Sequence, residues 1–209
     1  MEATVVLLSV FGIFIPALML PGPDFVAIVR ASMTRGTRAG LLTTIGVSIG
    51  LGFYATLGLL GLSALLVQME WLAMTVRILG GAYLIYLGIR LVLARPTEIA
   101  VEDGRDLGAN AVLGGLIVTL TNPKAIVLFA SVFATAVTPA TPVWLMVLMI
   151  GLVVASSLGW YTIVSLFMSS TPVMRRFSRA QIWIERAAGV CFVAIGGRIL
   201  VDARNPITS

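Results

Sequence analysis

Two proline-containing segments, each ending in a charged residue, are the strongest sign of chemistry in this chain. The first break reads Pro21-Gly22-Pro23-Asp24 and the second break reads Thr121-Asn122-Pro123-Lys124, and both lie inside long apolar stretches. Hydrocarbon offers no water to a free backbone group, so an interrupted helix at membrane depth must be buried in protein or line a wet cavity. The two breaks therefore predict a binding site inside a membrane protein.

The prolines of the first break free backbone acceptors. Pro21 and Pro23 carry no N–H group. The carbonyls of Ala17 and Met19 therefore lose their usual helical donors, and Gly22 relaxes the backbone between the prolines. The half-helix that follows presents its first amide groups, at the positive end of a helix dipole, to the break. We expect an anionic group to bind there.

The second break has a different set of polar groups. Pro123 should free the carbonyl of Thr119, and it suits the first position of a helix for which Asn122 is a good N-cap. The hydroxyl groups of Thr119 and Thr121 add donors. In the neighbouring spans, Tyr54 and Tyr161 are further candidates to contact a ligand, although such residues more often form hydrogen bonds between helices.

Asp24 and Lys124 carry opposite charges within apolar sequence. A charged side chain at the centre of a bilayer costs about 2.5 to 3.5 kcal/mol, so it is rarely retained without a role. One interpretation is that the two residues pair, or that Lys124 reaches an interface, and that they only hold the structure together. The other is that Asp24 accepts a proton or an ammonium group, with Lys124 as its counter-charge, and that a pair which forms and breaks during a conformational cycle changes its proton occupancy.

The composition excludes a soluble domain. Hydrophobic residues make up 59% of the chain and charged residues 11%, and the mean hydropathy is +1.05. These values are typical of an all-α integral membrane protein. Apolar stretches long enough to span a bilayer predict six transmembrane helices. They cover residues 3–30, 40–67, 71–93, 109–137, 142–170 and 186–203.

Other classes of site lack suitable residues. Cys191 is the single cysteine and histidine is absent, so neither an intramolecular disulfide nor the usual zinc ligands are available. We therefore predict no cofactor and no metal. The first stretch begins with Glu2 rather than a basic segment, which favours a mature helix over a signal peptide.

Charged residues also indicate the orientation. The net charge is +5, but the basic residues cluster after the first, third and fifth stretches, which membrane topology explains better than nucleic-acid binding. The positive-inside rule then makes these connections cytoplasmic and places both termini on the outer side, with Arg198 and Arg204 as mild exceptions. The oligomeric state, including a homo-oligomer, stays open.

The chain divides into two similar halves. The polar segment 95–109 separates a first repeat, residues 1–94, from a second repeat, residues 110–209. Beyond the two breaks, the halves share an arginine and two glycines at identical spacing, namely Arg77, Gly80 and Gly88 in the first and Arg186, Gly189 and Gly197 in the second. Chance glycine matches are the alternative. Three helices per half predict an inverted-topology repeat with helices 1 and 4 broken at the proline motifs, an architecture shared by many secondary transporters.

The two breaks, with Arg35-Gly36 before Ala39-Gly40, resemble the motifs of the lysine and homoserine/threonine exporter family of translocators. The likeness covers essentially the whole chain, although Ala134-Thr135-Ala136-Val137 lacks the Pro-Gln that many members carry. The resemblance implies a bacterial inner-membrane exporter of amino acids, driven by the proton gradient. It places the family motifs on Pro21, Gly22, Pro23 and Asp24, and on Asn122, Pro123 and Lys124.

Three functions are compatible with these residues. The leading one is a secondary active transporter that exports zwitterionic amino acids or related metabolites in exchange for protons. A membrane-embedded enzyme or a carrier of metal or other small ions is the alternative, but such sites normally show clustered histidines, cysteines or carboxylates. A structural membrane protein is the third. The sequence does not identify the exported molecule.

Overall fold

The computed structural model describes residues 3–61, 70–93, 110–136, 141–167 and 171–204. Every regular element in these ranges is a helix, as predicted. We number the α-helices in chain order: α1 (Ala3–Met19), α2 (Pro23–Arg35), α3 (Thr37–Thr56), α4 (Glu70–Val92), α5 (Ala111–Leu120), α6 (Pro123–Ala136), α7 (Val143–Phe167) and α8 (Thr171–Arg204). A short π-helical turn, Leu57–Gly61, continues α3.

Both proline motifs interrupt helices. Helix α1 ends two residues before Pro21 and α2 begins at Pro23, with a bend of 44° between the two axes. Helix α5 ends at Leu120 and α6 begins at Pro123. Proline lacks an N–H group and disfavours a helical conformation in the residue before it, which helps to end each helix at its break. A single proline is not sufficient, since Pro16 lies inside α1.

The apolar character of the helices fits a membrane protein. Within the described ranges, Thr37–Leu60 and Val143–Phe167 are each long and apolar enough to cross a bilayer alone, and the bent pair α1 and α2 would form a third span. Helix α5 is apolar but shorter. The predicted linker 95–109 lies outside the described residues.

The prediction of a loop between the fifth and sixth apolar stretches is wrong for most of that segment. The sequence predicts a basic loop before residue 186, whereas α8 already begins at Thr171 and continues for 34 residues. After Pro172, which suits a helix start, no further proline occurs before Pro206, and arginine, glutamine and glutamate are good helix formers. At 1.5 Å per residue, α8 is about 50 Å long and exceeds the hydrocarbon thickness.

Glycines allow α4 and α8 to approach each other closely. A Cβ atom added at Gly88 would lie 2.6 Å from the carbonyl oxygen of Gly189, and one added at Gly189 would lie 2.6 Å from the carbonyl oxygen of Gly88. Gly81 and Gly196 meet in the same way at another level. Gly81 precedes Gly88 on α4, but its partner Gly196 follows Gly189 on α8, so the two helices are antiparallel. Small residues permit such backbone contact in membranes.

Candidate functional site

The two breaks meet at one cavity, which we call the break cavity. Its volume is about 30 Å³, which accommodates about one water molecule. Its wall consists of residues from both breaks and from the helices α1, α2, α3, α6 and α7. They are Phe14, Ala17, Leu18, Leu20, Gly22, Asp24, Phe25, Leu51, Asn122, Lys124, Ala125, Leu128, Phe129 and Tyr161. Residues separated by a hundred positions in sequence thus surround one space.

Asp24 connects the first break to the second. Its side chain is 6% exposed. One carboxylate oxygen accepts a hydrogen bond from Thr119 Oγ1 at 3.1 Å, and the other accepts from Asn122 Nδ2 at 3.1 Å. A buried charge is costly unless its oxygens are bonded, and two neutral donors from the second break meet this need.

Lys124 reaches across to the first break. Its Nζ donates to the carbonyl oxygen of Ala17 at 3.2 Å, one of the two carbonyls that the prolines are expected to free. The amine also lies beside Gly22, since a Cβ atom added there would be 3.5 Å from Nζ. Within the described part of the chain, Asp24 and Lys124 form no direct ion pair, so the simple pairing of the two charges is not what the structure contains.

Asn122 closes the second break and links its two charged neighbours. Its Oδ1 accepts from the backbone N–H of Lys124 at 3.0 Å, as expected of an N-cap, while its Nδ2 binds Asp24. Its own N–H donates to the carbonyl oxygen of Thr119 at 3.0 Å. The expectation that Pro123 leaves this carbonyl free is therefore wrong, because a tight turn supplies another donor.

Tyr54 supports the second break from outside the cavity. Its hydroxyl donates to the carbonyl oxygen of Leu120 at 2.8 Å. In an uninterrupted helix this carbonyl would accept from Lys124 N, which is occupied by Asn122. The Tyr54 ring also stacks on Phe129, with 6.2 Å between the centroids. Tyr161, 3% exposed, lies in the cavity wall itself.

Thr121 does not join the site. Its side chain is exposed, and its hydroxyl donates to the carbonyl oxygens of Ile117 at 2.8 Å and Val118 at 3.3 Å in its own helix. Thr119, two positions earlier, is fully buried and binds Asp24. Two positions along a helix turn a side chain by about 200°, which explains why only one of the two threonines faces the cavity.

The sequence interpretation missed the apolar part of the wall. Phe14, Ala17 and Leu18 precede the first break at positions i, i+3 and i+4, and the same spacing recurs after the second break in a second set of three. That set consists of Ala125, Leu128 and Phe129. Residues with this spacing share one helix face. Following the face of Pro21 back along α1 would have identified the first set, whereas the second set lies on the face of α6 opposite Pro123, so that proline does not point to it.

The break cavity therefore presents one acid, one base and apolar walls. The carboxylate and the ammonium group are held by different neutral partners, which leaves them as separate charges in a space of low polarity. Such an arrangement suits a small molecule that itself carries both charges. Among the described residues, no group of three histidine, cysteine or acidic side chains could hold a metal ion.

Comparison with known proteins points in the same direction. The family model described as LysE type translocator matches residues 15–203. An uncharacterized membrane protein of Haemophilus influenzae is 29% identical, covering 99% of both chains. The threonine efflux protein of Escherichia coli K12 is 28% identical over 93% of this chain and 97% of its own. A leucine efflux protein of Salmonella choleraesuis is 34% identical over 59% of each chain. No solved structure matches.

Proposed function

Because the chain belongs to the LysE type translocator family, we propose that it exports amino acids or related metabolites across the bacterial inner membrane as a secondary active transporter. The relatives named for threonine and leucine efflux support this class of substrate. The family consists of translocators, so the alternative of a membrane-embedded enzyme is wrong for this chain.

The observation that carries the proposal is the placement of Asp24 and Lys124 at one cavity with separate partners. A substrate carboxylate would replace the Ala17 carbonyl as acceptor of the Lys124 amine, close to the positive end of α2. A substrate ammonium group would bind Asp24, which now accepts from Thr119 and Asn122. Each exchange replaces a neutral partner by a charged one, and charge-assisted hydrogen bonds are the stronger kind.

The cavity must enlarge before it can take an amino acid. Its volume of about 30 Å³ holds about one water molecule. We therefore assign this structure to a closed state of a transport cycle. Opening would bring water to Asp24, and a carboxylate that meets water in one state and protein donors in another can bind and release a proton. We therefore propose proton antiport as the coupling of this cycle.

The proposed layout is six spans in two inverted repeats, with both termini in the periplasm. The antiparallel glycine contacts between α4 and α8 support it, since exchange of the two helices exchanges Gly81 with Gly189 and Gly88 with Gly196. This correspondence is shifted by one residue from the sequence match of Gly80 with Gly189 and Gly88 with Gly197. Such exchange is expected when the third helices of two inverted halves meet on a pseudo-twofold axis. The exposed Arg35 and Arg38 would lie on the cytoplasmic side.

Flux measurements on purified protein test the function. We expect liposomes with an imposed pH gradient to transport at least one member of a panel of neutral, basic and hydroxyl-bearing amino acids, and a protonophore to stop this flux. Protein-free liposomes are the control. Absence of flux for the whole panel would contradict amino-acid export, whereas flux that persists with the protonophore would contradict proton antiport alone.

A further inference from the structure

A line of small and hydroxyl-bearing residues runs along the contact of α2, α3 and α7, away from the break cavity. We call it the hydroxyl seam. All of its members are buried in the protein although none is apolar and large. They are Ser32, Gly40, Thr44, Ser48, Ser157 and Ser165. Larger apolar side chains would be expected at a contact that served only to exclude water, because their burial contributes more to the stability of the contact.

Three contacts set the register of the seam. Ser32 Oγ and Ser165 Oγ share a hydrogen bond of 3.0 Å, and a Cβ atom added at Gly40 would collide with both hydroxyl groups. One turn further along α3, Thr44 Oγ1 lies 3.3 Å from the carbonyl oxygen of Tyr161, to which it donates. Helices α3 and α7 are therefore antiparallel.

Ser48 lies at the depth of the break cavity. The register of α3 and α7 places it opposite Ser157, one turn beyond Thr44. Asp24 precedes Gly36, the residue where α2 and α3 join, by as many sequence positions as Ser48 follows it. With equal rise in both helices, Asp24 and Ser48 reach the same depth, about 18 Å from that junction. The seam thus extends from the cavity to the end of the molecule that carries Arg35 and Arg38.

The seam has unused hydrogen-bonding capacity. Ser48 Oγ is buried, with the residue 1% exposed, and it has no hydrogen-bond partner among the described residues. By contrast, Thr43 donates to a carbonyl group of its own helix, and Thr44 donates to the carbonyl groups of both Gly40 and Tyr161. Ser157 donates to Val154 O at 2.9 Å and keeps its acceptor function. An unsatisfied buried hydroxyl costs about 1 to 3 kcal/mol, so it is expected where another state supplies a partner.

We propose that the hydroxyl seam is the route by which a zwitterionic substrate and water reach the break cavity from the Arg35 and Arg38 end, and that the Ser32 and Ser165 contact closes it in this structure. The proposal rests on the proposed export function, and with the predicted orientation it makes the seam the cytoplasmic entrance. Separation of α7 from α2 and α3 opens the route, and Ser48 then binds water or substrate.

A reversible cross-link tests the closing contact. The double variant Ser32→Cys/Ser165→Cys is made in a Cys191→Ser background, because Cys191 is exposed and is the single native cysteine. The two hydroxyl oxygens are 3.0 Å apart, and a small shift brings two sulfur atoms to disulfide distance. We expect an oxidant to form the bond and to stop transport, and a reductant to restore it. The single-cysteine variants should not respond.

A formed disulfide that leaves transport unchanged would overturn the proposal. Failure of the two cysteines to cross-link in closed protein would also overturn it, because the contact itself would be absent.

Thiol labelling tests the route without relying on transport. Ser48→Cys and Ser165→Cys in the same background are exposed to a water-soluble, membrane-impermeant thiol reagent. Ser156→Cys is the matched control, because Ser156 adjoins Ser157 on α7 but its side chain is turned by about 100° and is partly exposed instead of buried in the seam. Such reagents attack the thiolate, which requires water. We expect the seam cysteines to be labelled in everted vesicles, faster than the control, and Ser48→Cys to resist labelling when it is combined with the oxidised Ser32→Cys/Ser165→Cys pair.

Equal labelling of seam and control cysteines would overturn the proposed route even if amino-acid transport is established. Conversely, labelled seam cysteines in protein without any amino-acid flux would leave the route in place and contradict the proposed function.

Discussion

The two breaks share proline and a charged residue but are completed in different ways. Helix α2 has Gly22 at its N-cap position and no side-chain cap, and the freed carbonyl of Ala17 is held by an amine from the other half of the chain. Helix α6 is capped by Asn122. In the second break, the turn also binds the Thr119 carbonyl, and Tyr54 binds that of Leu120.

This difference assigns different tasks to the breaks. The first break depends on a long, flexible lysine that can exchange one acceptor for another. The second break depends on a short amide and a stacked tyrosine ring, which hold one geometry. We infer that substrate binding changes the contacts of the first break, whereas the second break is the framework that positions Asp24 and Lys124.

Asp24→Asn should have the largest effect. The substitution keeps the shape but removes the negative charge, leaving Lys124 as a buried cation without its nearby counter-charge. An amide cannot take up and release a proton as a carboxylate does, and either Thr119 or Asn122 loses its acceptor, so proton-driven flux should fall by at least about a hundredfold. Everted vesicles with an imposed pH gradient provide the measurement. Flux at the level of the native protein would exclude Asp24 as the coupling residue.

Lys124→Met should have the next largest effect, because it removes the movable donor of the first break while retaining a long side chain. A hydrogen bond to a charged group contributes about 1.5 to 3 kcal/mol, which predicts about a tenfold to hundredfold loss of flux. Flux per molecule of reconstituted protein is the quantity to measure. A lower protein yield with normal flux per molecule would instead indicate a purely structural role.

Comparison of Asn122→Ala with Gly22→Ala distinguishes the positioning role of the second break from the change of contacts at the first break. Loss of an N-cap costs about 1 kcal/mol, so Asn122→Ala should lower the thermal unfolding temperature as well as the flux. At Gly22, the backbone is extended (φ −158°) and accepts alanine. The new methyl would lie against the Lys124 amine, 3.5 Å away. Gly22→Ala should therefore reduce flux with a smaller loss of stability than Asn122→Ala, because no side-chain cap is removed. Equal destabilisation by both variants would remove the proposed distinction.

Thr119→Val and Thr121→Val should have the smallest effects, and they should differ. The first removes a donor to Asp24, and an interhelical hydrogen bond in a membrane protein contributes about 0.6 kcal/mol, which predicts about a threefold loss of flux. The second affects an exposed hydroxyl that bonds its own helix, so flux should not change. Parallel flux assays compare the two. A larger effect of Thr121→Val would show that the cavity extends further than its present wall.

The helical class, the two breaks and the N-cap at Asn122 could be predicted because each depends on local properties. Proline removes an N–H group wherever it stands, and asparagine caps the helix that starts beside it. The partners of the freed groups could not be predicted. Lys124 binds Ala17 instead of pairing directly with Asp24, and the Thr119 carbonyl is bound by its own turn. These outcomes depend on the distance between chain segments that are far apart in sequence.

The sequence by itself determined that this is an all-α membrane protein with two interrupted helices and one charge at each interruption, because apolar composition and missing N–H groups act locally. Only the tertiary structure decided that both interruptions surround one small cavity and that the two charges have separate neutral partners. It also decided that Ser48, at the depth of Asp24, lies buried without a hydrogen-bond partner among the residues that the structure describes. The physical reason is packing. Close glycine and serine contacts between helices set which faces meet, and hydrogen bonds within a few ångströms depend on those faces.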